Sequence, residues 1–412
     1  MQVRAHNIPQ THLETLPVPV AKDLSHTSSV DAGCRPSEYY RSRLSPVRFA
    51  SRQLILSLVE KETEPLGRWQ AKVRTPLLDT YFSLTATLGS HTFYVLMLPI
   101  PVWFGYFKLA RDLVFILGFG IYFSGLLKDY LCLPRPRSPP LHRITRSHYT
   151  AQEYGCPSSH SANAISVTLT LATYWYHYSD THSKLFNTVS IILSMIYFVS
   201  LVLGRLYCGM HGFVDVGSGL LIGISCFLIR HLSSDIWDHI VFETGWFSPV
   251  LVLLFYYSLI YFHVKPIDDC PCFEDSVAFV GVLTGMELGQ WALFQNSKAI
   301  TLEDFDFRYK VIVPFSWSYL GPLFTLARLV VGVSTIVIWK AISKPLLTRL
   351  LSPITPQRIS HHCKALQSRT HVYIFVRLAV YAGISTLTVW MNALFTLFGL
   401  DSSLSGPLDK YT

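Results

Sequence analysis

The sequence predicts an all-α fold, a polytopic membrane bundle of eight or nine transmembrane helices. Half of the 412 residues are hydrophobic, only 15% are charged, and the mean hydropathy is +0.34. This composition excludes a disordered chain and is typical of polytopic membrane proteins. Long apolar segments also recur from about residue 80 onward, and a membrane helix needs about 20 such residues.

The chain divides into a tail, a core and additional helices. Residues 1–75 are polar and rich in Pro, Ser, Thr and Arg, which predicts a mostly disordered basic tail with an amphipathic helix near Phe49 to Lys61. We expect a transmembrane core over 76–300, more transmembrane helices over 301–400, and a short tail over 401–412. The apolar segments lie near 81–104, 112–127, 162–178, 186–203, 212–229, 246–263, 277–296, 315–338 and 372–399.

The charge distribution and the cysteines indicate which ligands and metal sites the chain is expected to have. The net charge of +8 lies largely in the tail and in a late loop, which favours anionic lipid head groups over nucleic acid. The first forty residues contain no apolar core of a secretory signal. The eight cysteines show no zinc spacing, and the sequence leaves open whether Cys270 and Cys272 are oxidised.

The stretch Gly204 to Asp215, GRLYCGMHGFVD, places three ionisable residues at the mouth of a membrane helix. An unpaired charge costs about 2.5–3.5 kcal/mol at bilayer depth, so such residues usually serve function. His211 and Asp215 stand four apart on one helix face, where the carboxylate accepts one imidazole N–H and leaves the other nitrogen basic. This stretch alone is also compatible with an ordinary surface pair.

Two further stretches carry groups that bind phosphate. Lys128 and Arg135 supply a point charge and a planar fork, although they also fit a basic membrane flank. Ser158 and Ser159 precede a helix whose free N–H groups attract anions, and His160 lies on its first turn. That second stretch fits equally well a helix cap followed by an interfacial histidine.

The order of the spans predicts that these stretches meet on one membrane face. They would then surround one phosphate with the cations Lys128, Arg135 and Arg205, while one histidine attacks phosphorus and the other protonates the leaving group. The sequence has no clustered carboxylates for a two-metal site and no Gly-rich phosphate loop. We therefore expect chemistry without a metal or cofactor.

The motifs K-x6-R-P, P-S-x-H and R-x5-H-x3-D, in this order, resemble the type 2 phosphatidic acid phosphatase superfamily. The resemblance implies a phosphohistidine mechanism with His211 as nucleophile, Asp215 orienting it and His160 as general acid. It also implies a set of phosphate-binding groups, namely Lys128, Arg135, Ser158, Arg205 and the amide of Ser159. Two positions depart from the family pattern, since Ser159 replaces a glycine and Gly204 replaces a serine; neither change affects a histidine or the aspartate.

Four segments are similar to the sphingoid-base-1-phosphate phosphatases, fungal ones especially: LGSHTFYVL, PRPRSPP, YCGMHG and CPCFEDS. This resemblance implies dihydrosphingosine and phytosphingosine 1-phosphate as substrates. It also implies a multi-pass protein of the endoplasmic reticulum with a lumenal active site, whereas the basic tail favours a cytosolic one. The alternatives are another lipid phosphate phosphatase, a lipid phosphotransferase using the same site, and a transporter that only binds phosphate. Protein partners cannot be predicted.

The loop before the predicted seventh span is strongly acidic and lies on the catalytic side. A sphingoid base phosphate carries an ammonium group two carbons from its phosphate, and a carboxylate would select for it. We hypothesise that one of four carboxylates does so, the alternative being a solvated acidic turn. They are Asp268, Asp269, Glu274 and Asp275.

Overall fold

The computed structural model describes residues 31–177, 183–297, 315, 317–351 and 371–400. Every regular element in these residues is a helix, with a 3₁₀ turn at Ala86–Gly89. The helices are α1 Ser37–Arg41, α2 Pro46–Val73, α3 Pro76–Thr85, α4 His91–Met97, α5 Pro99–Trp103, α6 Phe107–Leu131, α7 His148–Ala151, α8 Ser159–His177, α9 Lys184–Tyr207, α10 Phe213–Glu243, α11 Phe247–Phe262, α12 Cys272–Ser297, α13 Trp317–Leu351 and α14 His371–Leu397.

The described residues confirm the all-helical prediction, but not the number of spans. Six helices are long and apolar enough to cross a membrane by length and composition: α6, α9, α10, α12, α13 and α14. The predicted span 81–104 is instead divided, because Ser90 starts α4 by accepting a hydrogen bond from the Phe93 amide and Pro99 starts α5. α11 is short, with 16 residues, and α8 carries several Ser and Thr side chains.

α6 lies at the centre of the bundle and packs against α8, α10 and α12, while α14 packs along α12. The contact between α8 and α10 is close because α10 carries glycine there. A Cβ at Gly219 would collide with the Ser158 carbonyl, and one at Gly223 with the Ala162 carbonyl. Small residues permit this kind of close helix packing in membranes.

A buried ion network connects α6, α10 and α12 at the end of the bundle far from Lys128. Arg111 lies 3.0 Å from an Asp238 carboxylate oxygen and 2.6 Å from Glu287, and Arg230 lies 3.1 Å from Asp238. Lys128 is on the same helix as Arg111, about 25 Å further along its axis. Because buried charges need partners, this network constrains how the three helices align.

Residues 31–75 are ordered rather than disordered, and the helix predicted near Phe49 to Lys61 lies within α2. Residues 1–30 lie outside the described part. α2 is a 28-residue helix that crosses the ends of several other helices. Arg48 donates to the Asp129 carbonyl at 2.8 Å, buried Arg52 to the Cys132 carbonyl at 3.2 Å, and Gln70 to the Tyr207 carbonyl at 2.7 Å. These polar contacts hold α2 in place together with its buried apolar residues Val59 and Leu66.

Candidate active site

The three predicted stretches meet where α6 and α9 end and α8 and α10 begin. Arg135 Nη1, in the loop after α6, lies 3.1 Å from His211 Nε2. The Ser158 amide, just before α8, donates to the Asp215 carbonyl at 2.9 Å. Direct contacts thus connect all three stretches.

A tight turn between α9 and α10 positions His211. The amides of Met210 and His211 both donate to the Arg205 carbonyl, at 3.1 and 3.3 Å. Gly209 makes the turn possible, because its φ is 60° and a Cβ there would lie 2.9 Å from the His142 carbonyl oxygen. The turn therefore holds the backbone of His211 next to that of Arg205.

His211 and Asp215 form a buried pair. Their side chains are 2% and 0% exposed, with Nδ1 3.6 Å from Oδ2, whereas the His239–Glu243 pair at the same spacing is 62% and 41% exposed. The Asp215 carboxylate is also held by the Gly212 amide at 2.9 Å. A distance of 3.6 Å is longer than a hydrogen bond, which is common in catalytic sites without substrate. The burial argues against an ordinary surface pair.

The contact with Arg135 determines which nitrogen of His211 is basic. An arginine only donates hydrogen bonds, so Nε2 must accept and the ring proton is placed on Nδ1, toward Asp215. Burial, together with the charges of Arg135 and Lys128, lowers the pKa of His211 well below its ordinary value. His211 is thus neutral at neutral pH, with Nε2 as the available nucleophile.

Three buried cations lie within electrostatic reach of His211. Lys128 donates to the carboxylate of Glu153, and Arg135 contacts three backbone carbonyl groups in addition to His211. Burial lowers the pKa of Arg135 to about 10, so it remains charged at neutral pH. Arg205 is 3% exposed, and its Nε has no hydrogen-bond partner among the described residues. An unsatisfied buried guanidinium nitrogen is well suited to an anionic ligand.

The start of α8 completes the site. Ser158 caps the helix, its Oγ accepting from the Ser161 amide at 3.3 Å, and the Ser159 amide lies in the first turn. The ring of His160 packs against Gly89, where a Cβ would lie 3.2 Å from Nε2. His160 is also within electrostatic reach of Arg205 and Lys128. These cations disfavour the imidazolium form until a phosphate supplies negative charge.

Sequence reasoning did not find several groups around the site. Glu62 of α2 accepts a hydrogen bond from the Val214 amide at 3.0 Å, at the N-terminus of α10. Glu153 contacts Lys128, and His91 Nδ1 lies 3.4 Å from an Asp275 oxygen. None of these residues belongs to a recognisable spacing, although His91 lies in the LGSHTFYVL segment.

The structure does not gather the four predicted ammonium-binding carboxylates around the histidines. Asp268 binds the N-terminal segment, accepting from the Gly33 amide at 2.9 Å and from Tyr40 Oη at 2.7 Å. Asp269 is exposed. Glu274 and Asp275 both bind Arg377, at 2.6 and 3.2 Å. Of the four carboxylates, Asp275 is the one that also contacts His91, which lies on the side of the predicted site. A disulfide joins Cys270 and Cys272 in the same loop.

Comparison with known proteins identifies the family of the chain. The PAP2 superfamily model matches residues 109–237, which include all three motifs. A dihydrosphingosine 1-phosphate phosphatase of Saccharomyces cerevisiae is 38% identical over 93% of this chain and 95% of its own length. The chain belongs to the PAP2 superfamily.

Other relatives of this PAP2 chain have similar names. A dihydrosphingosine 1-phosphate phosphatase of Schizosaccharomyces pombe is 36% identical, over 75% of this chain and 72% of its own. Sphingosine-1-phosphate phosphatase 2 of Homo sapiens is 29% identical over 51% of each chain. No solved structure matches the chain.

Proposed function

We propose that this chain is a membrane phosphomonoesterase that hydrolyses sphingoid base 1-phosphates, such as dihydrosphingosine and phytosphingosine 1-phosphate, to the free base and phosphate. The observation that carries the proposal is a buried, neutral His211 with its basic nitrogen among three cations. The substrate class is supported by the names of relatives that cover most of the chain.

The proposed reaction proceeds through a phosphohistidine. His211 Nε2 attacks phosphorus, the P–O ester bond breaks, and the leaving alkoxide takes a proton from His160. His160 then removes a proton from water, whose oxygen attacks phosphorus and breaks the P–N bond, releasing phosphate. Lys128, Arg135, Arg205 and the Ser159 amide stabilise the charge that develops on the phosphoryl oxygens. Asp215 stabilises the charge that forms on His211.

A side-by-side assay tests the substrate class and the need for metal. The purified protein should release phosphate from dihydrosphingosine 1-phosphate with a higher kcat/KM than from phosphatidic acid or glucose 6-phosphate. EDTA should leave the rate unchanged, because side-chain cations bind the phosphate. Phosphate release equal to base release distinguishes hydrolysis from transfer to an alcohol. Equal rates on all three substrates, or loss of activity with EDTA, would contradict the proposal.

We propose that the bundle crosses the membrane nine times. Tyr81 of α3 contacts Ser200 near the catalytic end of α9, and Trp103 of α5 contacts the Thr388 carbonyl, late in α14. The divided segment α3–α5 thus reaches from one end of the bundle toward the other. α8 and α11 connect the same two ends, which adds three crossings to the six longer helices.

We further propose that α2 belongs with the 76–300 core.

We also propose that the catalytic face is lumenal in the endoplasmic reticulum. Family resemblance supports a lumenal face, whereas the basic tail favours a cytosolic one. Cys34 is exposed on this face, since the neighbouring Gly33 contacts Asp268, whereas the other free cysteines of the described residues are buried.

Labelling of Cys34 tests the orientation. In sealed microsomes a membrane-impermeant maleimide should fail to label Cys34, and detergent should expose it. The signal due to Cys34 is the difference between the wild type and the Cys34→Ser variant. Labelling of Cys34 in sealed vesicles would place the catalytic face in the cytosol and contradict the proposal.

A further inference from the structure

The phosphate-binding cations already hold a carboxylate that the proposed mechanism does not use. Lys128 donates to Glu153 Oε2, and Arg135 Nη2 lies 3.8 Å from the same oxygen. The Glu153 side chain is only 10% exposed. It also lies within electrostatic reach of Arg205 and His91. Glu153 therefore borders the space that a phosphate must enter.

The backbone around Glu153 is held in place. Its carbonyl accepts from Arg135 Nε at 3.1 Å, and the Thr150 carbonyl accepts from Nη2 of the same arginine at 2.7 Å. On the other side, the Gly155 amide donates to the Leu133 carbonyl at 2.9 Å. A phosphate that binds Lys128 would displace only the Glu153 carboxylate, and these backbone contacts would keep the residue beside the phosphate.

We propose that Glu153 is the specificity-determining residue that binds the ammonium group of the substrate. This inference rests on the proposed function. A sphingoid base phosphate brings its ammonium group close to the three cations that bind its phosphate, and like charges repel. A carboxylate at this position offsets that repulsion through a charge-assisted hydrogen bond. A lipid phosphate without an ammonium group instead meets an uncompensated negative charge, which disfavours it.

The acidic loop is a weaker candidate for this role. Glu274 and Asp275 share Arg377, and Asp268 is bound by the N-terminal segment. Among the described residues, Glu153 is the carboxylate that contacts both Lys128 and Arg135. It is therefore the group placed to bind a cation attached to the same molecule as the phosphate.

The test compares two substrates that differ only in the ammonium group, dihydrosphingosine 1-phosphate and its N-acetyl derivative. For Glu153→Gln, kcat/KM should fall on the amine and rise on the N-acetyl compound, so that their ratio falls roughly tenfold or more. Glu153→Asp, which keeps the charge, should retain more of the preference than glutamine does. A purely structural role would lower activity on both substrates together.

Glu60→Gln is the matched control, because Glu60 is 48% exposed and pairs only with exposed Arg137 among the described residues. Its substrate ratio should equal that of the wild type. A wild type that prefers the amine while Glu153→Gln keeps the same ratio would overturn this inference alone. If Glu153→Gln does not fold, Glu153→Ala takes its place, and an alanine variant that keeps the wild-type ratio overturns the inference. A wild type that releases phosphate from neither substrate would overturn the proposed function as well.

Discussion

Replacement of His211 by alanine is expected to lower kcat/KM for phosphate release by roughly 10⁴-fold or more, because it removes the attacking nitrogen. The remaining cations would still bind the phosphate of the substrate. Binding without turnover therefore distinguishes the nucleophile from a residue needed for folding. The measurement combines phosphate release with trapping of labelled substrate, since a phosphohistidine survives alkali and is lost in acid.

His239→Ala is the matched control for this experiment. His239 and Glu243 have the same four-residue spacing as His211 and Asp215 and lie at the far end of α10, but they are exposed. The control variant should keep wild-type activity and acquire the same label. A His211→Ala protein that releases phosphate at the wild-type rate would rule out the phosphohistidine mechanism. A wild type that binds the substrate without releasing phosphate would instead indicate a transporter that only binds phosphate.

Replacement of Arg135 by lysine is expected to lower kcat/KM by roughly 10²–10³-fold, although the charge is retained. The guanidinium donates to the carbonyl groups of Glu153, Met210 and Thr150, and it contacts His211 Nε2. A lysine has three donors on one nitrogen and cannot contact all four groups. The loop 150–153 would lose hydrogen bonds from residue 135, and the tautomer of His211 would no longer be fixed by a donor at Nε2.

The matched control is Arg137→Lys, two residues further along the same Pro-rich segment. Arg137 is 74% exposed and pairs with exposed Glu60, so its replacement should change activity little. Thermal unfolding of both variants should accompany the assay. Wild-type activity in Arg135→Lys would show that only the charge of residue 135 matters, contrary to the geometry.

The convergence of the proposed catalytic groups could be predicted because they lie in short motifs at the ends of helices. The i, i+4 spacing predicts His211 and Asp215 on one helix face, but α10 begins at Phe213, so His211 lies in the turn before the helix and meets Asp215 from there. Ser158 can cap α8 because its side chain is adjacent to free amide groups. Such local geometry depends on few neighbours, so a sequence pattern is enough to indicate it.

Groups that act across long sequence separations could not be predicted. Glu62 reaches the N-terminus of α10 from α2, and Arg377 reaches Asp275 from the last helix. Glu153 is a single acid in an irregular loop, whose position depends on hydrogen bonds to Arg135. No spacing in the chain indicates these contacts, because each depends on how distant segments pack.

The sequence by itself determined the helical class and the apolar segments of a membrane protein, and it indicated the cations and histidines of the proposed site, because hydropathy and motif spacing are local properties. Tertiary structure alone decided that Glu153 contacts Lys128 and Arg135 and that α2 crosses the ends of the helices around the proposed site. Those features depend on buried polar contacts between residues far apart in the chain. Which residues form such long-range contacts depends on how the helices pack, and this cannot be derived from the sequence alone.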